Sequence, residues 1–210
     1  MREVTWFFDF ISPYAYLGLH TLKRLPANVA LRYQPVLFAG LLNHWGQKGP
    51  AEICAKRTWT YRSCIWSAKQ MAVPFRMPAT HPFNSLPYLR LSLAAGNSAD
   101  AVGAIFAALW TTGLDPADSG VLERLAASLG VHLDRLADSN VKNALRESTE
   151  QALRRGVFGV PTFAIDGQLF WGSDSVYFAA AYLADPSILG MPEIKRADSL
   201  PIGASRPESG

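Results

Sequence analysis

Ser12 lies where a buried strand passes into a helix, and it is the first candidate for chemistry. The run 4–10 is apolar apart from Thr5 and Asp9, which predicts a buried strand. Residues 13–25 begin with a proline and continue with helix-like apolar spacing. The simplest interpretation of Ser12 is an N-cap that only closes the first helical turn. The alternative is that its hydroxyl and the positive helix end hold an anion such as a thiolate.

The energies permit this alternative. Lowering a thiol pKa by ~2 units from its usual ~8.5 requires about 2.7 kcal/mol of preferential binding of the charged form. A hydrogen bond to a charged group contributes about 1.5–3 kcal/mol, and a helix end about 0.3–1 kcal/mol. Ser12 is therefore sufficient in magnitude to ionise a bound thiol. Because the chain has no cysteine near Ser12, the reactive sulfur has to arrive with a ligand.

Val160 and Pro161 form the second candidate site, about 150 residues later and just before another strand signal. An ordinary turn proline is one interpretation. The other is a cis peptide bond, which leaves the backbone N–H and C=O of Val160 free to pair with an extended peptide. Gly156 and Gly159 would permit the close approach that such pairing needs.

Three further polar positions have both a structural and a functional interpretation. Ser173 or Asp174 is expected to cap the last helix, but Asp174 could also hold the ammonium group of a free amino-acid end. Lys56 is a lone helical lysine, which is usually solvated. Asp9 is a carboxylate on a buried strand, so it must be paired or hydrogen-bonded, and we expect it to support the Ser12 loop.

The elements that position these residues are two strands near the start, two near residue 165, and helices between them. Residues 31–38 read as a strand in which Pro35 requires an edge position or the end of the strand, and residues 162–171 read as a β-hairpin with the turn Asp166–Gly167. Residues 38–50 read as a Gly-bearing loop. A nucleophile position after the first strand and an X-Pro before a late strand is a thioredoxin-like arrangement. The predicted fold class is therefore α/β, a discontinuous thioredoxin-like domain (1–44 and 151–186) with an all-helical insertion (45–150) and an extended or disordered tail (187–210).

Composition excludes several classes of function. The 210-residue chain is 49% hydrophobic, which suffices for a full core, and its net charge of +3 includes no dense run of Lys or Arg, so no nucleic-acid partner is predicted. No apolar run reaches ~18 residues, so no membrane span is predicted, and no signal-peptide pattern precedes the first strand. Cys54 and Cys64 are not spaced as C-x-x-C and are expected to be reduced core residues, which indicates a cytoplasmic protein. The four histidines lack metal-ligand spacing, so no metal site is predicted.

Three motifs in order carry a resemblance to a known family. They are FDFISPYAYLG at 8–18, GVFGVPTF at 156–163 and WGSD at 171–174. Over residues 3–184 the chain resembles the 2-hydroxychromene-2-carboxylate isomerase family, which is similar to kappa-class glutathione transferases and to DsbA-like thioredoxin-fold proteins. The resemblance implies glutathione as cofactor, with Ser12 at its sulfur, Val160 before a cis Pro161 at the cysteinyl backbone, and Ser173 and Asp174 at the γ-glutamyl end.

The resemblance also assigns the opposite end of the site. Gln47, in the loop 46–50, is implied to contact glutathione, and Lys56 to meet the glycyl carboxylate or the substrate. Asn84 and Tyr88 are implied to face the substrate. Relatives often have Asn at the position of Gln47 and Arg at the position of Ser175.

The predicted function is a glutathione-dependent isomerase of aromatic catabolism. It would interconvert 2-hydroxychromene-2-carboxylate and trans-o-hydroxybenzylidenepyruvate by thiolate addition, bond rotation and elimination, with an aromatic carboxylate as substrate and a homodimer as the assembly. One alternative is a kappa-type transferase that consumes glutathione. Another is a non-catalytic glutathione- or peptide-binding protein. A disulfide oxidoreductase is disfavoured because C-x-x-C is absent.

Overall fold

A four-stranded mixed sheet organises the computed structural model, which describes residues 1–204. The strands are β1 (Arg2–Phe8), β2 (Val29–Pro35), β3 (Thr162–Ile165) and β4 (Gln168–Trp171), in the order β2-β1-β3-β4. β1 runs parallel to β2 and antiparallel to β3, and β3 pairs antiparallel with β4. The predicted edge position of the Pro35 strand and the predicted hairpin are thereby confirmed.

β1 is buried on both faces, which explains its nearly continuous apolar sequence. Trp6 and Phe8 point into the larger core, where they pack against Phe106. Phe7 points to the other face and joins a smaller cluster with Leu41 and Val157. The carboxyl end of β1 is consequently held from both sides, and Ser12 follows it directly.

Nine α-helices lie within the described residues. They are α1 (Pro13–Leu19), α2 (Phe38–His44), α3 (Cys54–Gln70), α4 (Leu86–Ala94), α5 (Ala99–Thr111), α6 (Ser119–Ser128), α7 (Ser139–Arg154), α8 (Val176–Ala184) and α9 (Pro192–Asp198). Short 3-10 turns occur at Leu22–Arg24, Pro50–Glu52, Leu133–Ala137 and Pro186–Gly190. Within residues 1–204, no helix combines the length and apolar character that crossing a lipid bilayer requires.

The helices between the two halves of the sheet share one core with it. The larger cluster extends without a break from Trp6 in β1 to Leu145 in α7. α7 also crosses the predicted boundary at residues 150 and 151. The division into a sheet domain and a helical insertion therefore stays a prediction, whereas the thioredoxin-like α/β fold class is confirmed.

Two local predictions are wrong. Residues 38–44 form α2 rather than loop, because Leu41 packs against Phe7 and so gives this short segment a buried face. The predicted extended or disordered tail contains a 3-10 turn (Pro186–Gly190) and α9 (Pro192–Asp198), and Ile188 and Leu189 pack against the larger core. Residues 205–210 of that tail lie outside the described residues.

Candidate functional site

One cavity of about 1050 Å³ is lined by residues that follow β1, residues that precede β3 and the first turns of α3. It brings together most of the residues selected from the sequence, namely Ser12, Gln47, Lys56, Asn84, Val160, Ser173 and Asp174. We call Asp9, Ile11, Ser12 and Val160 the floor of this cavity. Its rim consists of Gln47, Lys48, Lys56, Trp171 and Asp174.

Ser12 has the structural role that the sequence predicts for it. Its Oγ accepts a hydrogen bond from the Ala15 N–H at 3.1 Å, so Ser12 is the N-cap of α1. Its hydroxyl also faces the Val160 carbonyl at 3.5 Å. Ser12 therefore lies next to the Val160–Pro161 segment, as the sequence predicts.

The Val160–Pro161 peptide bond is cis, as predicted. Among the described residues, the N–H of Val160 has no hydrogen-bond partner, and Val160 lines the cavity. Pro161 lies behind Val160 against α1. A Cβ on Gly18 would lie 3.3 Å from the Pro161 Cγ, so the glycine lets α1 approach this corner.

Asp9 supports the Ser12 loop, as expected for a buried carboxylate. The side chain is 1% exposed. Its Oδ1 accepts from the Ile11 N–H at 3.1 Å and its Oδ2 from the Phe38 N–H at 2.9 Å. The backbone carbonyl of Asp9 also accepts from the Ser12 N–H at 3.0 Å. This one residue therefore ties the end of β1 to both the Ser12 turn and the start of α2.

Burial has the largest effect on the pKa of the Asp9 carboxylate. It raises the pKa of Asp9 from 3.8 to about 6, although hydrogen bonds from Phe38, Ser85 and Ile11 act in the opposite direction. The cavity floor therefore contains a buried carboxyl group that changes charge in mildly acidic solution.

Sequence reasoning missed His81, which also lines the cavity. Its Nε2 lies 2.8 Å from the Ile11 carbonyl oxygen, and its Nδ1 lies 2.7 Å from the Tyr61 hydroxyl. Behind it, the Trp110 Nε1 donates to the Phe10 carbonyl at 2.9 Å. A histidine isolated in the sequence carries no signal of such contacts, because they depend on tertiary packing.

The rim is more exposed than the floor. Gln47, Lys48 and Lys56 are all exposed, and the loop that carries the first two is closed by a hydrogen bond from the Gly49 N–H to the Glu52 carboxylate at 2.6 Å. Two cations thus face one end of the cavity.

Trp171 also lines the cavity, is 57% exposed and forms an edge-to-face pair with Phe158. A Cβ on Gly159 would lie 2.6 Å from the Trp171 Nε1, so the indole lies directly over this glycine. These side chains give the cavity an apolar, aromatic wall.

Ser173 and Asp174 also line the cavity, but neither caps α8, the helix that follows them. Ser175 is the N-cap of α8, and its hydroxyl donates to the Gly172 carbonyl at 2.7 Å. Gly172 has a φ of 109°, a conformation that favours glycine. The turn therefore leaves Asp174 exposed at the rim.

The structure does not bring Tyr88 to the cavity. This side chain is 1% exposed, and its hydroxyl donates to the Pro116 carbonyl at 2.7 Å. We therefore correct its assignment as a substrate contact, since α4 turns it into the core. The cysteine prediction holds for Cys64, which is buried with a pKa raised to about 12 by desolvation, and is wrong for Cys54, which is exposed.

Comparison with known proteins agrees with this architecture. Residues 3–184 match the model of the DsbA-like thioredoxin domain. The chain is 30% identical over 194 residues to a 2-hydroxychromene-2-carboxylate isomerase from Sphingobium xenophagum, covering 88% of this chain and 99% of that protein. It is 28% identical over 209 residues to glutathione S-transferase kappa 2 from Caenorhabditis elegans, covering 88% and 93% respectively.

A solved structure of 2-hydroxychromene-2-carboxylate isomerase superposes with a TM-score of 0.73 at 23% identity, covering 95% of this chain and all of that one. This similarity shows the shared fold. Together with the sequence matches, it shows that the chain belongs to the 2-hydroxychromene-2-carboxylate isomerase family of DsbA-like thioredoxin-domain proteins.

Proposed function

We propose that this chain is a glutathione-dependent isomerase that interconverts 2-hydroxychromene-2-carboxylate and trans-o-hydroxybenzylidenepyruvate. The observation that supports this function best is the convergence of the Ser12 hydroxyl and the backbone of Val160 on the floor of one cavity with cations at its rim. The two relatives described above carry the names of an isomerase and a glutathione transferase, which supports the same class of chemistry.

The residues present fit glutathione. The Val160 N–H has no partner among the described residues, so it can pair with the backbone of an extended peptide. Asp174 lies exposed at one end of the cavity, where it can hold an ammonium group, and Lys48 and Lys56 lie at its rim, where they can hold a carboxylate. A tripeptide that carries both an ammonium group and carboxylates matches a cavity lined by charges of both signs.

Bound glutathione would supply a thiol that, once ionised, adds to a conjugated carbon and later leaves it. Ser12 would donate a hydrogen bond from its hydroxyl to the sulfur, instead of to the Val160 carbonyl oxygen that the hydroxyl faces in this structure. The helix adds little, because α1 is only seven residues long and Ser12 itself already accepts its Ala15 N–H. The hydroxyl bond, worth about 1.5–3 kcal/mol to a charged partner, is therefore the main source of the lowered thiol pKa.

The remaining lining acts on the substrate. Phe158 and Trp171 present aromatic surface to a planar ring, and Lys48 or Lys56 can hold the substrate carboxylate. Asn84 is exposed in the same cavity and can orient a polar substituent of the ring.

The direct experiment mixes protein, glutathione and 2-hydroxychromene-2-carboxylate and follows the absorbance of the ring-opened product, with and without the thiol. Ser12→Ala should lower kcat by about a hundredfold, in the range found when one stabilising donor is removed. Ser98→Ala is a matched control, because Ser98 caps α5 in the same way but does not line the cavity. Turnover that needs no glutathione, or equal activity of both variants, would refute the proposal.

The second candidate is a kappa-type transferase, which the similarity to the Caenorhabditis elegans protein supports. It would leave a stable thioether between glutathione and an electrophile, whereas an isomerase regenerates the free thiol. Mass spectrometry of the products therefore distinguishes the two functions.

We also propose that the chain acts as a homodimer. α3 exposes Trp59, Ile65 and Trp66, an apolar surface that pairing could bury. Sedimentation of the wild type and of Trp66→Glu tests this assembly, since the added charge should shift the protein toward monomer.

A further inference from the structure

The turn that carries Ser12 is held by side chains from the helical part of the molecule. The Phe10 carbonyl accepts from the Trp110 Nε1, and the Ile11 carbonyl faces the His81 Nε2. On the other side, the Ile11 N–H donates to the Asp9 carboxylate and the Ser12 N–H to the Asp9 carbonyl. Both ends of the peptide bond that immediately precedes Ser12 are therefore hydrogen-bonded.

The partners of His81 determine which ring nitrogen carries its proton. A carbonyl oxygen only accepts, so the Nε2 that lies 2.8 Å from the Ile11 oxygen must be the donor. Tyr61 then donates its hydroxyl proton to Nδ1 or to the His81 carbonyl, which lie 2.7 Å and 2.9 Å from its oxygen. Burial lowers the pKa of His81, which favours this neutral ring.

Packing restricts the ring as well. His81 contacts the Tyr61 ring edge-to-face, with 5.2 Å between ring centroids. Its ring centroid also lies 5.5 Å from that of Trp110 and 5.9 Å from that of Phe83. A ring that packs against three aromatic side chains and donates from Nε2 to the Ile11 carbonyl is restricted in its orientation. Its bond to the Ile11 carbonyl therefore fixes the plane of the peptide from which Ser12 projects.

We propose that His81, oriented by Tyr61, is a positioning residue that aims the Ser12 hydroxyl by holding the carbonyl of Ile11. This inference rests on the proposed function. The acidity of a thiol bound at Ser12 would depend on the direction in which the Ser12 hydroxyl points. His81 acts only through the backbone and makes no bond to a reacting atom. The helical region thus contributes to catalysis as well as to the walls of the cavity.

Two substitutions separate the two nitrogens of the ring. His81→Gln retains an amide N–H near the Nε2 position, which can still donate to Ile11. His81→Asn reaches only the Nδ1 position, so it can accept from Tyr61 and leaves the Ile11 carbonyl unpaired. Both variants lose the imidazole packing, and they differ in which hydrogen bond of the ring they can keep, the one to Ile11 or the one from Tyr61.

The expected result concerns kcat and the acidity of bound glutathione. His81→Asn should lower kcat by about tenfold to a hundredfold, the scale of a misplaced catalytic group, and should return the thiol pKa, followed by thiolate absorbance, toward that of free glutathione. His81→Gln should restore most of both, with similar KM and similar thermal unfolding. Equal kcat and equal thiol pKa in the two variants would overturn the proposal.

A second comparison does not depend on glutathione. In a Ser12→Cys background, the pH dependence of alkylation at the introduced thiol, read by peptide mass spectrometry, reports how well the local donors stabilise a thiolate. Adding His81→Asn should raise that thiol pKa, whereas adding His81→Gln should not. If wild-type protein fails to acidify glutathione but this difference persists, the proposed function fails and the positioning role stands; if the difference is absent, the positioning role is wrong.

Discussion

The floor and the rim of the cavity are built on opposite physical principles. On the floor, Asp9 is buried, and its carboxylate, the Ile11 carbonyl and the Ser12 hydroxyl all have hydrogen-bond partners. On the rim, Lys56 and Asp174 are exposed, and no ion pair within residues 1–204 involves either of them. Buried, fully bonded groups are costly to disturb, whereas exposed charges each contribute little. The floor should therefore control stability and turnover, and the rim should control affinity.

The largest expected effect comes from the charge of Asp9. Because the pKa of Asp9 is raised from 3.8 to about 6, the folded protein keeps a proton that the unfolded chain has already lost between these values. The free energy of unfolding should therefore fall as the pH rises from about 4 to about 7, by about 3 kcal/mol for this group. Urea denaturation at a series of pH values measures it.

Asp9→Asn isolates this contribution, because an amide does not titrate. The difference in the free energy of unfolding, wild type minus variant, should decrease as the pH rises through 6. The hydrogen bonds that the variant loses add a contribution to this difference that does not depend on pH. A difference that does not change with pH would show that Asp9 is ionised normally and that the floor is wetter than its burial implies.

The next effect tests how tightly the floor is packed behind Ser12. Gly18→Ala places a methyl group 3.3 Å from the Pro161 Cγ and 3.7 Å from the Trp6 ring. Both neighbours are part of the sheet side of the molecule, so we expect a loss of about 1–3 kcal/mol from overpacking, which outweighs the gain in helix propensity. The shift of Pro161 should also lower kcat by moving Val160.

Gly103→Ala is the matched control for that substitution. Gly103 lies inside α5 with no atom within 4 Å of an added Cβ, so alanine there should stabilise the protein by about 0.5–1 kcal/mol. If thermal unfolding shows both variants to be more stable than wild type, Pro161 can yield and the floor is not rigid.

The same contrast explains what the sequence predicts and what it does not. The buried strand before Ser12, the edge strand at Pro35 and the hairpin at Asp166–Gly167 are local patterns of burial and turn chemistry, and all three are confirmed. α2 was missed because its only buried residue is Leu41, which leaves too short a pattern. The helical tail was missed because its Pro and Ser content is also that of a coil, whereas packing of Ile188 decides the outcome.

The residues of the site also fall into those that local sequence patterns predict and those that they do not. Ser12, Val160 and Asp174 were found because strand ends and turns place them in a recognisable order along the chain. His81 and Trp110 were missed because their roles come from hydrogen bonds to residues 70 and 100 positions away. Tyr88 failed for the converse reason: an aromatic residue near a motif carries no information on which face of α4 it occupies.

A smaller effect is expected at the aromatic part of the rim. Trp171→Ala should raise KM for an aromatic substrate by about two- to tenfold, the scale of one aromatic contact, with kcat nearly unchanged because the floor keeps its bonds. Tyr177→Ala is the control, since Tyr177 is equally exposed, at 58%, and does not line the cavity. A fall in kcat at unchanged KM would mean that Trp171 contributes to the chemistry and not only to affinity.

The smallest expected effect is that of a single rim charge. Lys56→Met should raise KM for a substrate that carries a carboxylate by about two- to fivefold at low ionic strength, because an exposed ion pair contributes only ~0.2–1 kcal/mol. Added salt should erase the difference from wild type. Lys69→Met, on the same helix and away from the cavity, should have no effect. If Lys56→Met instead lowers kcat and the loss survives high salt, Lys56 acts on charge that develops during the reaction, and the separation between a catalytic floor and a binding rim breaks down at this residue.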